Sequence, residues 1–374
     1  MYDLVIVGAG ASGLMVASRY KDMKIAVVDK NSKIAQKIKI SGGGRCNITN
    51  SNVSEKNYLG NPTFVKEILD SYDQNRLLSF LKDRGCVPVL EKDSQYFCKN
   101  SSDEIINIFK NEVSNCSFFL NQSVIQITKK DNFTIKTDRE TLEAKSVVVA
   151  SGGLSYQKIG ATSIAYEIAK SFGHTVKSTS PALVGFTVQK DQFWMKELSG
   201  ISLKVQIKVG DKSFIQDLLF THKGISGPSV LNASLYWQKG LLEIDFLPEN
   251  PLSKYLKNSN KLISTALPLP KRFIKSFLSQ ISLEDKATSK LDKEELKKLE
   301  TLKNYSFAPA GNFGYTKAEV TRGGINTDEI NSQSMMSKLV ENLFFVGECL
   351  DVTGELGGYN FQWAFSSANR VEIN

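Results

Sequence analysis

The sequence is poor in several residue patterns that would point directly to a function. It has two histidines, His174 and His222, and five cysteines, Cys46, Cys86, Cys98, Cys116 and Cys349, with no C-x-x-C among them. An odd, scattered set argues against a disulfide framework and against a zinc module, so the thiols are expected to be reduced and metal-free. The longest apolar stretch, residues 4–18, is broken by glycines, and no basic leader stands before it. Neither a membrane span nor a signal peptide is therefore expected, and the cytoplasm is the expected compartment. Lys and Arg number 47 against 39 Asp and Glu, a net charge of +8. Only eight of the basic residues are Arg, and no block of five or six like charges occurs. A polyanion such as RNA is a permitted partner on these grounds, but not a required one.

What the chain does have begins at residues 3–30, DLVIVGAGASGLMVASRYKDMKIAVVDK. A short apolar β run leads into Gly8-Ala9-Gly10 and then Ser12-Gly13, a helix follows, and a second apolar run closes on Asp29 and Lys30. This is the order of a dinucleotide-binding βαβ unit. Gly8 permits the tight turn, Gly10 lets the backbone approach a pyrophosphate, and Gly13 lets helix and strand pack closely. Phosphates sit on the free N–H groups of the helix N-terminus. Asp29, sixteen residues after the last glycine, is spaced to accept hydrogen bonds from ribose hydroxyls.

A second informative stretch, SGGGRCNITN, follows at residues 41–50. Three consecutive glycines are entropically costly, so Gly42, Gly43 and Gly44 suggest a loop that approaches a ligand closely. Arg45, Cys46 and Asn47 set a cation, a thiol and an amide beside it. Helical spacing then predicts packing helices over residues 63–84 and a helix over 102–112 capped at Ser102-Asp103. A period of two over residues 123–144 suggests a meander, with Val124 at the adenine end of the cofactor. A buried strand at 146–150 ends in Ser151-Gly152-Gly153.

Further on, the chain is β-rich to about residue 247 and lysine-rich and helical over 253–302. His222 lies in the loop FTHKGISGP and is a candidate proton donor or anion ligand; His174 follows Gly173 and is expected at a helix C-terminus. Residues 342–346 form one more apolar strand, ending in Gly347-Glu348, and Gly357-Gly358 leads into a helix starting at Tyr359-Asn360. A helix N-terminus carries roughly half a positive charge, which suits the edge of a flavin that becomes anionic when reduced. A second clamp some 330 residues from the first suits an extended FAD, and no second G-x-G-x-x-G offers a built-in NAD(P)H domain. The expected class is α/β: a Rossmann-type FAD-binding domain (1–188 and 318–374), an inserted β-barrel-like domain (189–252) and a helical subdomain (253–317).

The blocks SGGGRCNITN, SGGLSYQKIGAT, PALVGFTV, FTHKGISGP, EVTRGGI and NLFFVGECLDVTGELGGYNFQWAFSSA together resemble the bacterial NAD(P)/FAD-dependent oxidoreductases also called the aminoacetone oxidase family. The resemblance runs over essentially the whole chain. It implies an FAD oxidoreductase that reduces a C=C bond conjugated to a carbonyl, because the family includes dihydrouridine synthases acting on 23S ribosomal RNA and a branch proposed to reduce bile-acid enones. For the RNA substrate, hydride would pass from flavin N5 to C6 of uracil, and a side chain would protonate C5. Cys46 is the first candidate for that acid and His222 the second. The alternative is a small-molecule reductase or oxidase acting on an enone or amine, and NAD(P)H is the candidate transient electron donor. The chain departs from the family pattern at Gln157, at Ser163-Ile164-Ala165 and at Cys349, near the expected substrate and cofactor positions.

Overall fold

The computed structural model describes residues 1–257 and 259–373. The chain divides into two compact units, Met1–Pro181 with Glu319–Asn374, and Ala182–Ala318.

The first unit is built on a mixed sheet. Tyr2–Val7 lies at its centre, parallel to Ile25–Asp29 on one side and to Thr141–Val149 on the other, and Ser117–Leu120 extends it beyond Ile25–Asp29. Its strands read as near-continuous Val, Ile and Leu because both faces are covered; Leu4, Val5 and Ile6 have no exposed surface. Thr141–Val149 does two jobs along nine residues. Its first half pairs antiparallel with Phe133–Thr137 in the meander, and its second half runs parallel to Tyr2–Val7 and to Leu343–Phe345. The break expected between residues 144 and 146 does not occur: the alternating pattern changes to continuous burial within one strand. The carboxyl ends of four parallel strands therefore lead into Gly8, Asp29, Ser151 and Gly347 along one edge, where open α/β sheets bind ligands.

The helices of this unit follow their apolar spacing. Pro62–Ser71 is capped by Asn61, whose side chain accepts from the Thr63 and Phe64 N–H groups, and buries Phe64, Val65, Ile68 and Leu69. Asp103–Glu112 buries Ile105, Ile106 and Phe109 as expected, but Ser102 does not cap it. Its hydroxyl instead donates to the Lys39 carbonyl (3.0 Å) and its N–H to the Gly44 carbonyl (2.8 Å). His174 does close a helix, its N–H bonding to Ala169 O (2.9 Å), and its ring is buried between Ser337 Oγ (2.7 Å) and Glu329 Oε2 (3.2 Å).

The second unit is a seven-stranded sheet whose order is Tyr305–Phe307, Leu242–Asp245, Ser202–Val209, Lys212–Thr221, Gly224–Ser226, Phe186–Thr187, Gly311–Asn312. Alternation along Ser202–Val209 turns Leu203, Val205, Ile207 and Val209 inward. Helix Lys271–Gln280 buries Phe273, Ile274, Phe277 and Leu278 into the same core, where the Phe273 and Phe246 rings lie 5.0 Å apart. The lysine-rich helical stretch thus lies in the same compact unit as the sheet and shares its apolar core.

Candidate cofactor and active site

The fingerprint turn is shaped by close contacts. Gly8 has φ +110°, and a Cβ there would meet the Ala150 carbonyl oxygen at 2.5 Å; a Cβ on Gly13 would sit 1.9 Å from the Gly8 carbonyl oxygen. Gly10, in contrast, faces open space, with nothing within 4 Å of a Cβ. It precedes helix Ala11–Arg19, whose N-terminus no side chain caps, so its first N–H groups are available to an anion. Asp29 is tied into this turn: Oδ2 accepts from the Ala9 N–H (2.7 Å) and Oδ1 from Asn31 N (2.7 Å) and Nδ2 (3.0 Å). The acid expected at the ribose also braces the loop. Lys30 beside it is exposed, and Val124 begins the meander strand Val124–Lys129.

The C-terminal glycines close on the same turn. Gly347 has φ +76°, and a Cβ there would lie 2.3 Å from Ser12 Oγ. Its N–H donates to Ser367 Oγ (3.0 Å), and its carbonyl accepts from the Trp363 ring N–H (3.1 Å). Helix Tyr359–Asn369 starts after Gly358, whose Cβ would collide with the Thr49 carbonyl at 2.5 Å. The strand Asn47–Asn50 therefore runs directly against the helix start, and Asn50 Nδ2 donates to Gly357 O (3.0 Å). Asn360 folds its amide back onto Gly354, with its Nδ2 donating to the carbonyl there (2.8 Å) and its Oδ1 accepting from the Gly354 N–H (2.9 Å).

Glu348 is held by partners that spacing did not reveal. Its Oε2 pairs with Lys37 Nζ at 2.5 Å, and its Oε1 accepts from the Thr321 N–H at 2.9 Å. Thr321 Oγ1 accepts in turn from the Leu154 N–H (2.7 Å). The Lys37 ammonium stands 5.4 Å from the Tyr156 ring centroid. Burial first, then the Glu319 and Glu348 charges, push the Tyr156 phenol up to about 12, and burial also raises the Glu319 carboxyl. The only sequence signal for Lys37 was its place five residues before Gly42.

Two atoms of the expected cofactor set are buried without a hydrogen-bond partner, Ser151 Oγ and Asn47 Oδ1. Gly43, Gly44 and Gly152 have nothing within 4 Å of a Cβ. Buried polar atoms without a partner, such as Ser151 Oγ beside the strand ends, are what a bound dinucleotide would satisfy. A family model described as the HI0933-like protein Rossmann domain matches residues 2–372. The chain belongs to the HI0933-like Rossmann family. It is 38% identical to a ribosomal RNA dihydrouridine synthase of Haemophilus influenzae, covering 97% of this chain and 96% of that protein. It is 35% identical to the protein of the same name in Escherichia coli K12, covering 98% and 96%. A 3-dehydro-bile acid delta(4,6)-reductase of Clostridium scindens is 27% identical over 98% of this chain and 97% of that protein.

Within this member of the family, Cys46, Arg45 and His222 lie in three different surroundings. Cys46 has no exposed surface, and burial pushes its thiol up to about 12. The thiol faces the core, away from the open surface where the expected acid role and cofactor contact would place it. The loop uses Cys46 conformationally: it sits at φ +51°, and its N–H closes a turn onto Ser41 O (3.0 Å). Arg45 is turned away from a free phosphate-binding pose by Glu91 (2.6 Å) and by the Cys98 carbonyl, to which Nε and Nη2 donate at 3.2 and 3.0 Å. His222 is exposed, in the turn between Lys212–Thr221 and Gly224–Ser226 of the second unit.

Proposed function

We propose that this protein is an FAD-dependent oxidoreductase that reduces the C5=C6 bond of a uridine in large-subunit ribosomal RNA to dihydrouridine. The observation that carries this is the 38% and 35% identity, over nearly the full length, to two ribosomal RNA dihydrouridine synthases. The fingerprint glycines, Asp29, Ser151 and the Gly347-Glu348 turn form the expected cofactor edge. FAD, when bound and reduced, supplies the hydride. The chain's own residues bind and orient. Gly8–Gly13 and the first N–H groups of Ala11–Arg19 take the pyrophosphate, and Asp29 takes the ribose. Gly43, Gly44 and Gly152 would leave room for the ring system, and the first N–H groups of Tyr359–Asn369 would stabilise the negative charge the reduced ring gains.

The proton for C5 comes from Tyr156. Its phenol stays protonated at neutral pH, it is only half-buried, and its ring centroid lies 5.4 Å from the Lys37 ammonium. NAD(P)H serves as a transient electron donor, and the net charge of +8 favours docking on RNA. Deletion of the gene and mass spectrometry of ribosomal RNA test the substrate. One uridine is expected to lose the added dihydrogen, and an unchanged rRNA refutes the substrate. Tyr156→Phe should leave FAD binding intact and slow single-turnover reduction of RNA by roughly 100-fold.

A small-molecule enone is the second reading, favoured by the relationship to the bile-acid reductase. The two separate by salt: an RNA substrate predicts a KM that rises steeply with ionic strength.

A further inference from the structure

Three residues that spacing kept apart meet in the first unit. Cys86 follows helix Gln74–Lys82, Cys98 follows strand Gln95–Phe97, and Glu104 lies in the first turn of helix Asp103–Glu112. The two sulfurs and a carboxylate oxygen all lie within 4.8 Å of one another. Both thiols are buried, at 2% and 0% exposure, whereas Glu104 reaches solvent. Cys86 Sγ stands 3.6 Å from Glu104 Oε2, and Glu104 Oε1 is oriented by the N–H groups of Asn100 (2.7 Å) and Ser101 (3.2 Å).

Two thiols and a carboxylate in one pocket form a ligand set for a thiophilic cation. Tetrahedral zinc, with Zn–S bonds of about 2.3 Å, holds its sulfurs about 3.8 Å apart, inside the observed envelope. Sulfur donors with one oxygen select zinc over magnesium or calcium. The carboxylate at the surface gives the ion an entry path, and three protein ligands leave a fourth position for water.

We propose that Cys86, Cys98 and Glu104 bind one zinc ion, which fastens the hairpin between the two cysteines to helix Asp103–Glu112 and thereby anchors the triple-glycine loop. The connection to that loop is direct. Cys98 N donates to Arg45 O (2.9 Å), the Arg45 side chain returns two hydrogen bonds to Cys98 O, and Ser102 N donates to Gly44 O (2.8 Å). Binding releases the two thiol protons to solvent, with no change of oxidation state.

The test uses the full-length chain, reduced and stripped of metal, titrated with zinc alone against a chromophoric chelator. One equivalent is expected to bind, and Glu104→Gln, which removes a direct ligand, should weaken it by at least about 10-fold. Cys86→Ala/Cys98→Ala, which keeps two small apolar residues in the core, should abolish the tight site. Cobalt should give a thiolate charge-transfer band in the difference spectrum that is missing from the double variant. Zinc should also slow amide exchange over residues 42–46 in the wild-type chain and not in the double variant. If the double variant fails to fold, the Glu104→Gln titration decides. Failure to take up an equivalent of zinc, binding indifferent to Glu104→Gln, or a Cys86–Cys98 disulfide in the anaerobically handled chain overturns the proposal.

Discussion

In the fingerprint turn, a methyl group on Gly13 would sit 1.9 Å from a backbone carbonyl; in the triple-glycine loop, a methyl group on Gly43 or Gly44 would touch nothing within 4 Å. Glycine is needed at Gly13 for space and at Gly43 and Gly44 for conformation, since the latter two adopt φ +65° and +88°. Gly8 and Gly13 are also buried and their turn is braced by Asp29, while Gly43 is exposed. A strand-turn-helix unit packs so closely that its sequence is constrained by its own backbone. An open loop is constrained by what it must face, and its shape depends on the elements that carry it.

Gly13→Ala should have the largest effect, a loss of about 3 kcal/mol on urea unfolding, with the chain purifying free of flavin. A variant as stable as wild type would mean that helix and strand are not held as closely as the 1.9 Å approach requires. Asp29→Ala should come next. It leaves the Ala9 N–H without its acceptor, costing about 1–3 kcal/mol, and flavin affinity should fall with it in fluorescence titration; a change in affinity alone would separate the ribose role from the bracing role. Gly43→Ala should cost about 1 kcal/mol, while Gly43→Asn, which tolerates positive φ, should cost less. If the two variants melt alike, conformation is not what glycine supplies there. Cys46→Ala is expected to have the smallest effect on chemistry. Turnover with pre-reduced FAD should match wild type, and a large fall would restore the thiol to the mechanism.

The fingerprint was legible because all its signals are local. Gly8, Gly10, Gly13 and Asp29 act within one βαβ unit, so their spacing carries their geometry. The C-terminal Gly347-Glu348 and Gly357-Gly358 turns were legible for the same reason. Lys37 was not: its role depends on Glu348, 311 positions away. Ser102 carries every local mark of a helix cap, yet its hydroxyl bonds Lys39 O, because tertiary packing brings the triple-glycine segment within reach. Cys46 looked reactive beside Arg45, but burial decides whether a thiol is available, and burial is not a property of neighbours in sequence.

The five cysteines show the same division most clearly. Their spacing excludes a zinc module made from one short segment, and it says nothing about Cys86 and Cys98 meeting Glu104 across a hairpin and a helix. The sequence by itself determined the dinucleotide fold, the glycine turns at Gly8–Gly13 and Gly347–Gly358 and the apolar faces of the helices, since each follows from steric and periodic rules acting over a few residues. Only the tertiary structure decided which polar groups are paired, which thiols are sealed and which distant side chains share a pocket. Those outcomes depend on distances and desolvation set by the packing of the whole first unit.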